Sequence, residues 1–461
     1  MLLDTGDTIA ALATAPGPGA IAVVRASGPD AVAAALKVFS PRPGERIAHR
    51  HVTLGSLTDP RDGIAFDEAL LTFFRGPSSY TRQDLVEISC HGGSAAAGTC
   101  LAALLRAGCR MAEPGEFTLR AFLSGRIDLA RAEAVADMVA APNDLSLKSA
   151  RAQLGGSLSE SVWAIREQLI GLRAQLEAEI DFAEDDVPPM PRDQIGAVLE
   201  SAQAQVTAAL KGSETGQLLR TGVRITLVGA PNAGKSSTMN LLLGRDRAIV
   251  TEEAGTTRDV LEESLSVDGL TVVLSDTAGI RSGAGRIESE GIVRTERALG
   301  EADLALHLVD GSRPLAEADY LTADLIARVG LPAIVLLNKS DLGTVVGDAE
   351  LERIGIARQV PFSALRGDGV DRLQEELSDL LETGGLRAND LPQATNRRHI
   401  RGLRQAETEL AGSERALRDG LPADFICIGL AGAISELGQI TGEDATEDLL
   451  SAIFTKFCIG K

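Results

Sequence analysis

The chain has 461 residues, of which 44% are hydrophobic, so it can bury sizeable cores in about three domains of ~100 to 200 residues each. Aromatic residues make up only 3%, which leaves little material for platforms on which bases stack. The 45 Lys and Arg against 65 Asp and Glu give a net charge of −20. That charge argues against indiscriminate binding to nucleic acid or to anionic membranes.

The beginning of the chain and the cysteines indicate a soluble protein in a reducing cytoplasm. No Lys or Arg precedes Arg25, so the charged start of a secretory signal or transit peptide is missing. No uncharged apolar run approaches the ~18 residues that a membrane span needs. The cysteines are odd in number and lack C-x-x-C spacing, which suggests neither a disulfide framework nor a zinc cluster. They are Cys90, Cys100, Cys109, Cys427 and Cys458.

The first part of the chain, residues 8 to about 120, is predicted to be a mixed α+β domain. Short apolar or alternating runs at residues 20–25, 52–57, 68–74 and 84–89 predict strands, and residues 92–107 predict a helix. The polar stretches between them, at 78–82, 90–93 and 114–117, are either ordinary turns or parts of a site.

The next part is predicted to be helical. From Leu147 to Ile180 apolar side chains recur every three or four residues, which predicts one long amphipathic helix with a bend at Gly155 and Gly156. An acidic run at 177–186 and a proline-rich breaker at 188–191 end it. The acidic run is either a solvated helix end or a metal site. A second helix is predicted at 192–219.

An α/β domain is predicted to interrupt the helical one. Residues 271–274, 304–309 and 333–337 are near-continuous apolar runs, as buried parallel strands should be, and they alternate with helices. Helices return at 396–418 and from 424 to the end. The predicted order is an α+β domain at 1–120, a first helical part at 121–219, an inserted P-loop domain with a mostly parallel sheet at 220–382, and a second helical part at 383–461.

A phosphate-binding loop lies at the start of the inserted domain. The stretch RITLVGAPNAGKSSTMN, residues 224–240, reads as a strand, a glycine loop and a helix start, and it fits G-x-x-x-x-G-K-[ST]. Such a loop turns backbone N–H groups around a phosphate chain, with Lys235 reaching the β and γ phosphates and Ser236 left to ligate Mg²⁺. This pattern predicts a nucleotide site.

Two later motifs predict a switch that responds to the γ-phosphate. Asp276 directly follows an apolar strand and can hold Mg²⁺ through water, and the N–H of Gly279 can contact the γ-phosphate. A Thr hydroxyl of the Gly255-Thr256-Thr257 stretch can complete the Mg²⁺ shell while the γ-phosphate is present.

Two further motifs predict that the base is guanine. The stretch Asn338-Lys339-Ser340-Asp341 follows a buried strand, and the Asp341 carboxylate can accept from guanine N1 and N2 together, which adenine cannot match. Ser363-Ala364-Leu365 would close the base pocket with backbone N–H groups. The Gln that orients water in Ras-like GTPases is replaced by Ile280, so another group must position the water or hydrolysis is slow.

With these motifs in place, the chain resembles the tRNA modification GTPases of the MnmE (TrmE) family from end to end. The resemblance rests on DTIAALATAPGPGAIAVVRASG, HGG, PGEFTLRAF followed by GRIDLA, the GTPase motifs and the final FCIGK. It implies an N-terminal domain that binds tetrahydrofolate and forms a homodimer, a discontinuous helical domain and an inserted G domain.

The resemblance also implies the reaction. With an FAD-dependent partner of the MnmG (GidA) type, in a heterotetramer, the family adds a carboxymethylaminomethyl-type group to C5 of the wobble uridine, position 34, of certain tRNAs. The one-carbon unit comes from 5-formyl- or 5,10-methylene-tetrahydrofolate, and the flavin of the partner does the redox chemistry.

Site residues follow from the resemblance by position. It implies a K⁺ site at Asn232, Thr251, the Glu253 backbone and Thr256, and catalytic roles for Glu288, which orients water, and for Lys235 and Gly279. Mg²⁺ would be held by Ser236, Thr257 and, through water, Asp276. Folate contacts fall on Arg25, Glu87, Arg126, which replaces a Lys of the family, and Lys461, and Cys458 matches a cysteine important for modification. The GTP contacts are Asn232, Ala233, Gly234, Lys235, Ser236, Ser237, Thr251, Glu252, Glu253, Ala254, Gly255, Thr256, Thr257, Asp276, Thr277, Ala278, Gly279, Asn338, Lys339, Asp341, Ser363, Ala364 and Leu365.

Two other functions share this G domain. A K⁺-dependent ribosome-assembly GTPase of the Era or Der type would carry a KH-like module or a second G domain, and neither is visible in the sequence. A folate-sensing scaffold with a vestigial G domain is disfavoured by the intact Lys235, Ser236, Asp276 and Asp341.

The place where tRNA docks stays open. Arg397, Arg398, Arg401 and Arg404 are spaced to line one side of a helix. They either contact phosphates or form a solvated helix start after an Asn396 cap.

Overall fold

The chain forms two compact units. The structure, a computed structural model, describes residues 6–181, 189–213, 216–217, 222–245, 262–267, 270–276, 295–383 and 394–461. The first unit combines residues 1–136, 154–202 and 405–461, and the second combines 137–153 and 203–404. The sequence-based domain boundaries at 120, 219 and 382 stay a prediction.

The first unit is built around a seven-stranded sheet that is antiparallel except at one edge, where the strands Ile9–Leu12 and Arg110–Met111 run parallel. Its strands alternate buried and more exposed residues, as expected when one face packs on a core and the other does not. The buried face includes Val24, Val86 and Ile88 and packs with residues of the helices 31–38 and 94–106. The strand order is β3-β4-β5-β6-β2-β1-β7, with β1 Ile9–Leu12, β2 Ile21–Ser27, β3 Phe39–Pro41, β4 Val52–Thr58, β5 Ala65–Phe74, β6 Leu85–His91 and β7 Arg110–Met111.

The second unit contains a six-stranded sheet that is parallel except for the pair formed by the strands Glu262–Val267 and Leu270–Asp276. All seven residues of the strand Leu304–Asp310 are buried, which confirms the prediction made from its continuous apolar run. The order is β13-β12-β11-β8-β10-β9, with β8 Val223–Gly229, β9 Glu262–Val267, β10 Leu270–Asp276, β11 Leu304–Asp310, β12 Ala333–Asn338 and β13 Arg358–Pro361.

Both units also contain helices, in agreement with the helical parts predicted from the sequence. The Asn396 cap is confirmed, because its Oδ1 accepts from the backbone N–H of Arg398 at 3.0 Å. The helices are α1 Ala31–Val38, α2 Ser94–Arg106, α3 Glu116–Leu123, α4 Leu129–Ala140, α5 Asp144–Gly155, α6 Ser157–Asp181, α7 Arg192–Leu210, α8 Lys235–Arg245, α9 Glu317–Val329, α10 Asp348–Ile354, α11 Val370–Thr383, α12 Arg397–Arg418, α13 Ala423–Thr441 and α14 Glu447–Phe454.

The single long helix predicted from residue 147 is wrong in one respect. The chain forms two helices, α5 and α6, which are separated at Gly156. Gly156 has φ +99°, a left-handed conformation that interrupts a right-handed helix and favours glycine. A side chain there would also collide with the guanidinium of Arg131. The periodicity continues across the break, which is why the pattern alone predicts one helix.

One described helix, Ala423–Thr441, is long and apolar enough to cross a membrane when judged by length and composition alone. Half of its most apolar window is buried inside the protein. It packs along the helix Ser157–Asp181, and both ends of that contact lie in the first unit. This is the behaviour of a core helix.

His307 lies at the centre of the second sheet with its side chain fully buried. It faces Val228 and Val335 across the neighbouring strands, and neither ring nitrogen has a hydrogen-bond partner among the described residues. Burial lowers its pKa from 6.5 to about 4, because the charged imidazolium is poorly solvated there. The folded chain therefore binds fewer protons than the unfolded chain between these pH values.

This pKa predicts acid-sensitive stability. A histidine whose pKa is lowered in the folded chain does not reduce the stability above pH 6.5, its pKa in the unfolded chain. Stability is lost as the pH falls from 6.5 toward 4, because the unfolded chain then binds the proton more readily than the folded chain. We expect the free energy of unfolding of His307→Leu, relative to that of the wild type, to rise by about 2 kcal/mol when the pH is lowered from about 7.5 to about 5. Urea unfolding followed by circular dichroism measures both free energies. His51→Gln, at an exposed histidine, is the control. An equal difference between His307→Leu and wild type at both pH values would contradict this origin.

Candidate functional site

The phosphate-binding loop has the geometry that its sequence predicts. The strand Val223–Gly229 leads into the loop, and the helix Lys235–Arg245 starts directly after it. Glycine is needed at both ends of the motif. A Cβ on Gly229 would lie 2.2 Å from the carbonyl oxygen of Leu308, and one on Gly234 would lie 2.1 Å from Nδ2 of Asn338. The loop can therefore approach its neighbours only because these side chains are missing.

The groups that would meet phosphate and cations are exposed or half-exposed in this loop. Lys235 Nζ donates to the carbonyl oxygens of Gly229 at 2.7 Å and Ala230 at 3.0 Å, so its ammonium is held over the loop. Ser236, in the first helical turn, and Asn232, at φ +63°, are exposed. Helix-start N–H groups, a lysine and the hydroxyl of an exposed serine are the groups that suit a phosphate chain with Mg²⁺.

Asn338 joins the phosphate loop to the predicted base loop. Its Nδ2 donates to the carbonyl oxygen of Ala233 at 2.7 Å, and its Oδ1 accepts from the N–H of Ala364 at 2.9 Å. The side chain is buried, so both bonds form away from bulk water, where an unmade bond is costly. The amide thus fixes the spacing between the loops at 230–234 and 363–365.

The Asp341 carboxylate is held by the loop that begins at Ser363. Its Oδ1 accepts from the Ser363 hydroxyl at 2.7 Å, and the N–H of Ser340 donates to the carbonyl oxygen of Phe362 at 3.1 Å. Ser363 is fully buried, whereas Leu365 is 85% exposed. The structure thus brings Asn338, Asp341 and the loop from Ser363 together, as predicted.

The sequence analysis did not single out Asp310. It ends the strand Leu304–Asp310 directly opposite Asn338, and its Oδ2 accepts from Lys339 Nζ at 2.7 Å. Partial burial raises the pKa of this carboxyl, but hydrogen bonds from Lys339 and Ser312 outweigh the burial and lower the pKa to about 2. A charged residue directly after an unbroken apolar strand was the only sequence signal available.

Part of the predicted nucleotide site lies outside the described residues. These positions are Thr251, Glu252, Glu253, Ala254, Gly255, Thr256, Thr257, Thr277, Ala278, Gly279 and Glu288. Asp276 is described as the last residue of Leu270–Asp276, which runs parallel to the strand that carries the phosphate loop. Since carboxyl ends of parallel strands share one sheet edge, its position agrees with a role near Ser236.

A second constellation forms in the first unit around Arg25. Its Nη2 and Nε donate to Glu87 Oε1 at 2.6 and 2.9 Å, and its Nη1 donates to the carbonyl oxygen of Gly460 at 3.2 Å. The rings of Tyr80 and Phe117 lie 6.0 and 5.7 Å from the guanidinium carbon. Strands β2 and β6 place Arg25 and Glu87 opposite each other, and the end of the chain reaches Arg25 through Gly460.

The C-terminal tail is held by main-chain bonds. The N–H of Phe117 donates to the carbonyl oxygen of Lys461 at 3.1 Å, and the N–H of Gly115 donates to that of Cys458 at 3.4 Å. Gly460, at φ +91°, passes so close to Leu12 that a Cβ would lie 2.3 Å from its carbonyl oxygen. Lys461 is half-buried and Cys458 is exposed. The tail is therefore placed beside Arg25 by its backbone.

Arg126 reaches this site through Tyr80. Its guanidinium lies 4.6 Å from the centre of the Tyr80 ring, and its Nη1 donates to the Tyr80 carbonyl oxygen at 2.8 Å. Arg25 and Glu87 thus meet directly, and Arg126 joins them by way of the aromatic ring. Lys461 follows Gly460, whose carbonyl oxygen accepts from Arg25. The sequence analysis treated Tyr80 only as part of a polar turn.

Comparison with known proteins matches nearly the whole chain. The family model described as "GTP-binding protein TrmE N-terminus" matches residues 8–126, and "MnmE helical domain" matches residues 129–458. The tRNA modification GTPase MnmE of Synechococcus sp. strain JA-3-3Ab is 44% identical over 99% of this chain and 98% of its own length. The protein of the same name from Chloroflexus aurantiacus is 45% identical over 99% of this chain and all of its own.

Solved structures match a smaller part. The G domain of the T. maritima FeoB iron transporter is 27% identical over 34% of this chain and 97% of its own, with a TM-score of 0.27.

Proposed function

This chain belongs to the MnmE family of tRNA modification GTPases, and we propose that its GTP cycle drives addition of a carboxymethylaminomethyl-type group to C5 of the wobble uridine of certain tRNAs. The family match on both sides of the G domain carries this proposal, and the hydrogen-bonded loops around Asn338 and Asp341 support its dependence on GTP. The ribosome-assembly alternative is not retained, since the family match covers the parts of the chain on both sides of the G domain.

We assign a separate role in GTP binding to each motif residue that the structure describes. Lys235 and the helix-start N–H groups bind the phosphates, and the Ser236 hydroxyl, with Asp276 at the neighbouring strand end, would hold Mg²⁺. Mg²⁺ held there would offset the negative charge of the phosphates. Asp341 accepts from guanine N1 and N2, while Asn338 keeps the phosphate and base loops at a fixed spacing.

The proposal assigns a K⁺ site to Asn232, with Thr251, the Glu253 backbone and Thr256. Support comes from the missing Gln after Asp276-Thr277-Ala278-Gly279 and from Asn232, whose exposed side chain follows a left-handed backbone within the loop. A monovalent cation there would supply the positive charge that an arginine finger gives other GTPases. Glu288 would orient the attacking water.

We expect GTP hydrolysis by the full chain to be at least ~10-fold faster in K⁺ than in Na⁺ at equal ionic strength. The reason is that K⁺ and the smaller Na⁺ fit a cage of oxygen ligands differently. Glu288→Ala should lower kcat by ~10-fold or more and leave GDP affinity unchanged. Glu352→Ala, on the exposed side of Asp348–Ile354, is the matched control. Equal rates in the two salts would refute the K⁺ assignment.

The constellation in the first unit is proposed to bind a tetrahydrofolate. A cation, a carboxylate and two aromatic rings suit a molecule that has a flat amino-oxo ring system and a carboxylate-bearing tail. Arg25, Glu87, Arg126 and Lys461 are the proposed contacts, and exposed Cys458 is proposed to act in modification. The folate supplies the one-carbon unit, and the redox chemistry is assigned to the flavin of a MnmG-type partner.

Titration of the full chain with 5-formyl-tetrahydrofolate tests this site. Arg25→Ala should raise the Kd by about tenfold, because it removes a charged donor whose bonds are among the stronger ones in proteins. Arg42→Ala, which removes an exposed arginine paired with Glu68, should leave the Kd unchanged. Unchanged affinity in Arg25→Ala would overturn the folate assignment and leave the GTP site untouched.

Dimerisation is proposed through the open face of the first sheet. One face is covered by helices, whereas the other presents Ile21, Val52 and Leu70 at 63%, 52% and 41% exposure. Uncovered apolar side chains on a sheet face favour burial against a second copy. The assembly is proposed to be a homodimer that joins the flavoprotein in a heterotetramer in the cytoplasm, with tRNA as substrate.

A further inference from the structure

Asp310 and Lys339 meet because two parallel strands end in register. Asp310 is the last residue of Leu304–Asp310 and lies opposite Asn338, the last residue of Ala333–Asn338. The next residue, Lys339, has φ +65°, a conformation that few residues other than glycine adopt. Its ammonium lies 2.7 Å from Asp310 Oδ2, and the side chain stays about one-third exposed.

The Asp310 carboxylate is a fixed anion. Its side chain is only 9% exposed, and its Oδ1 accepts from the Ser312 hydroxyl at 2.6 Å and the Ser312 N–H at 3.2 Å. Arg313 Nε lies 3.4 Å from Oδ2. With a pKa of about 2 the group is charged at every pH at which the protein works. Held from several sides, it offers Lys339 an acceptor that does not move.

A lysine without such an acceptor would be poorly ordered. Its four-carbon stem loses rotamer entropy on being fixed, and this cost falls on nucleotide binding unless it has been met during folding. Lys339 lies between Asn338 and Asp341, the two residues that form the base site. Its stem is therefore fixed beside the base position, where an apolar stem can cover a ring face while its charged end stays paired.

We propose that Asp310 is a positioning residue for guanine nucleotides, acting through Lys339: its carboxylate holds the lysine stem extended beside the base site before the nucleotide binds. The inference rests on the guanine-nucleotide site alone and needs neither the K⁺ nor the folate assignment. It adds to the base-recognition set a residue 29 positions earlier in the chain.

If Asp310 had only a structural role, its substitution would have a different effect on nucleotide binding. The same carboxylate also fixes the turn at Ser312 and Arg313, so its loss could weaken nucleotide binding by loosening that turn. In that case the effect would be independent of Lys339. If Asp310 acts through Lys339, removing both side chains should weaken binding no more than removing one.

The test is a double-mutant cycle on GDP affinity, measured with a fluorescent GDP on the full chain. Asp310→Asn and Lys339→Met, which keep size and stem, should each raise the Kd by about 10-fold, and the double variant should lie within about twofold of the weaker single variant. Should Asp310→Asn fail to fold, Asp310→Glu takes its place. Effects that multiply in the double variant, or wild-type affinity in Asp310→Asn, would overturn the proposal.

Two further variants separate the possible failures. Arg313→Ala removes another charge beside Asp310 but leaves Lys339, so it should change the Kd by less than about twofold, and a tenfold loss there would count against the assignment. Asp341→Asn should abolish the preference for GDP over ADP. If it does not, the guanine site itself is wrong, whereas failure of the cycle alone removes only the role of Asp310.

Discussion

The nucleotide site depends on one buried amide. Asn338 donates to the phosphate loop at Ala233 and accepts from the base loop at Ala364, so two loops more than a hundred residues apart are held at one spacing. Gly234 makes this possible, because any side chain there would occupy the position of the amide nitrogen. The parallel register of the strands at 304–310 and 333–338 then places Asp310 beside the same point. The register of these strands thus determines where the residues of the individual motifs lie.

The sequence predicts the structure well where a residue pattern is typical of one structural element. The unbroken apolar runs predict the buried parallel strands, and the glycine-lysine-serine loop predicts its own place between a strand and a helix. Prediction from the sequence fails where a feature depends on tertiary structure. The break at Gly156 leaves the helical periodicity intact, and the pairing of Asp310 with Lys339 depends on register across two strands.

The site in the first unit shows the same division. Family resemblance gave Arg25, Glu87 and Lys461, but it could not say that the tail is seated by main-chain bonds to Gly115 and Phe117. It also gave no role to Tyr80, whose ring connects Arg126 to Arg25. The bonds to Gly115 and Phe117 hold the tail by its backbone atoms. One unit therefore holds the nucleotide site, and the other holds the site that we propose binds a folate.

The central claim is that GTP turnover in this chain drives modification of the wobble uridine, and nucleoside mass spectrometry of cellular tRNA tests it most directly. In a strain that lacks the gene, the carboxymethylaminomethyl-type nucleoside should disappear. It should return with the wild-type chain, and it should stay absent with Lys235→Ala, which removes the phosphate-binding ammonium. Normal modification in the deletion strain, or full rescue by Lys235→Ala, would contradict the account.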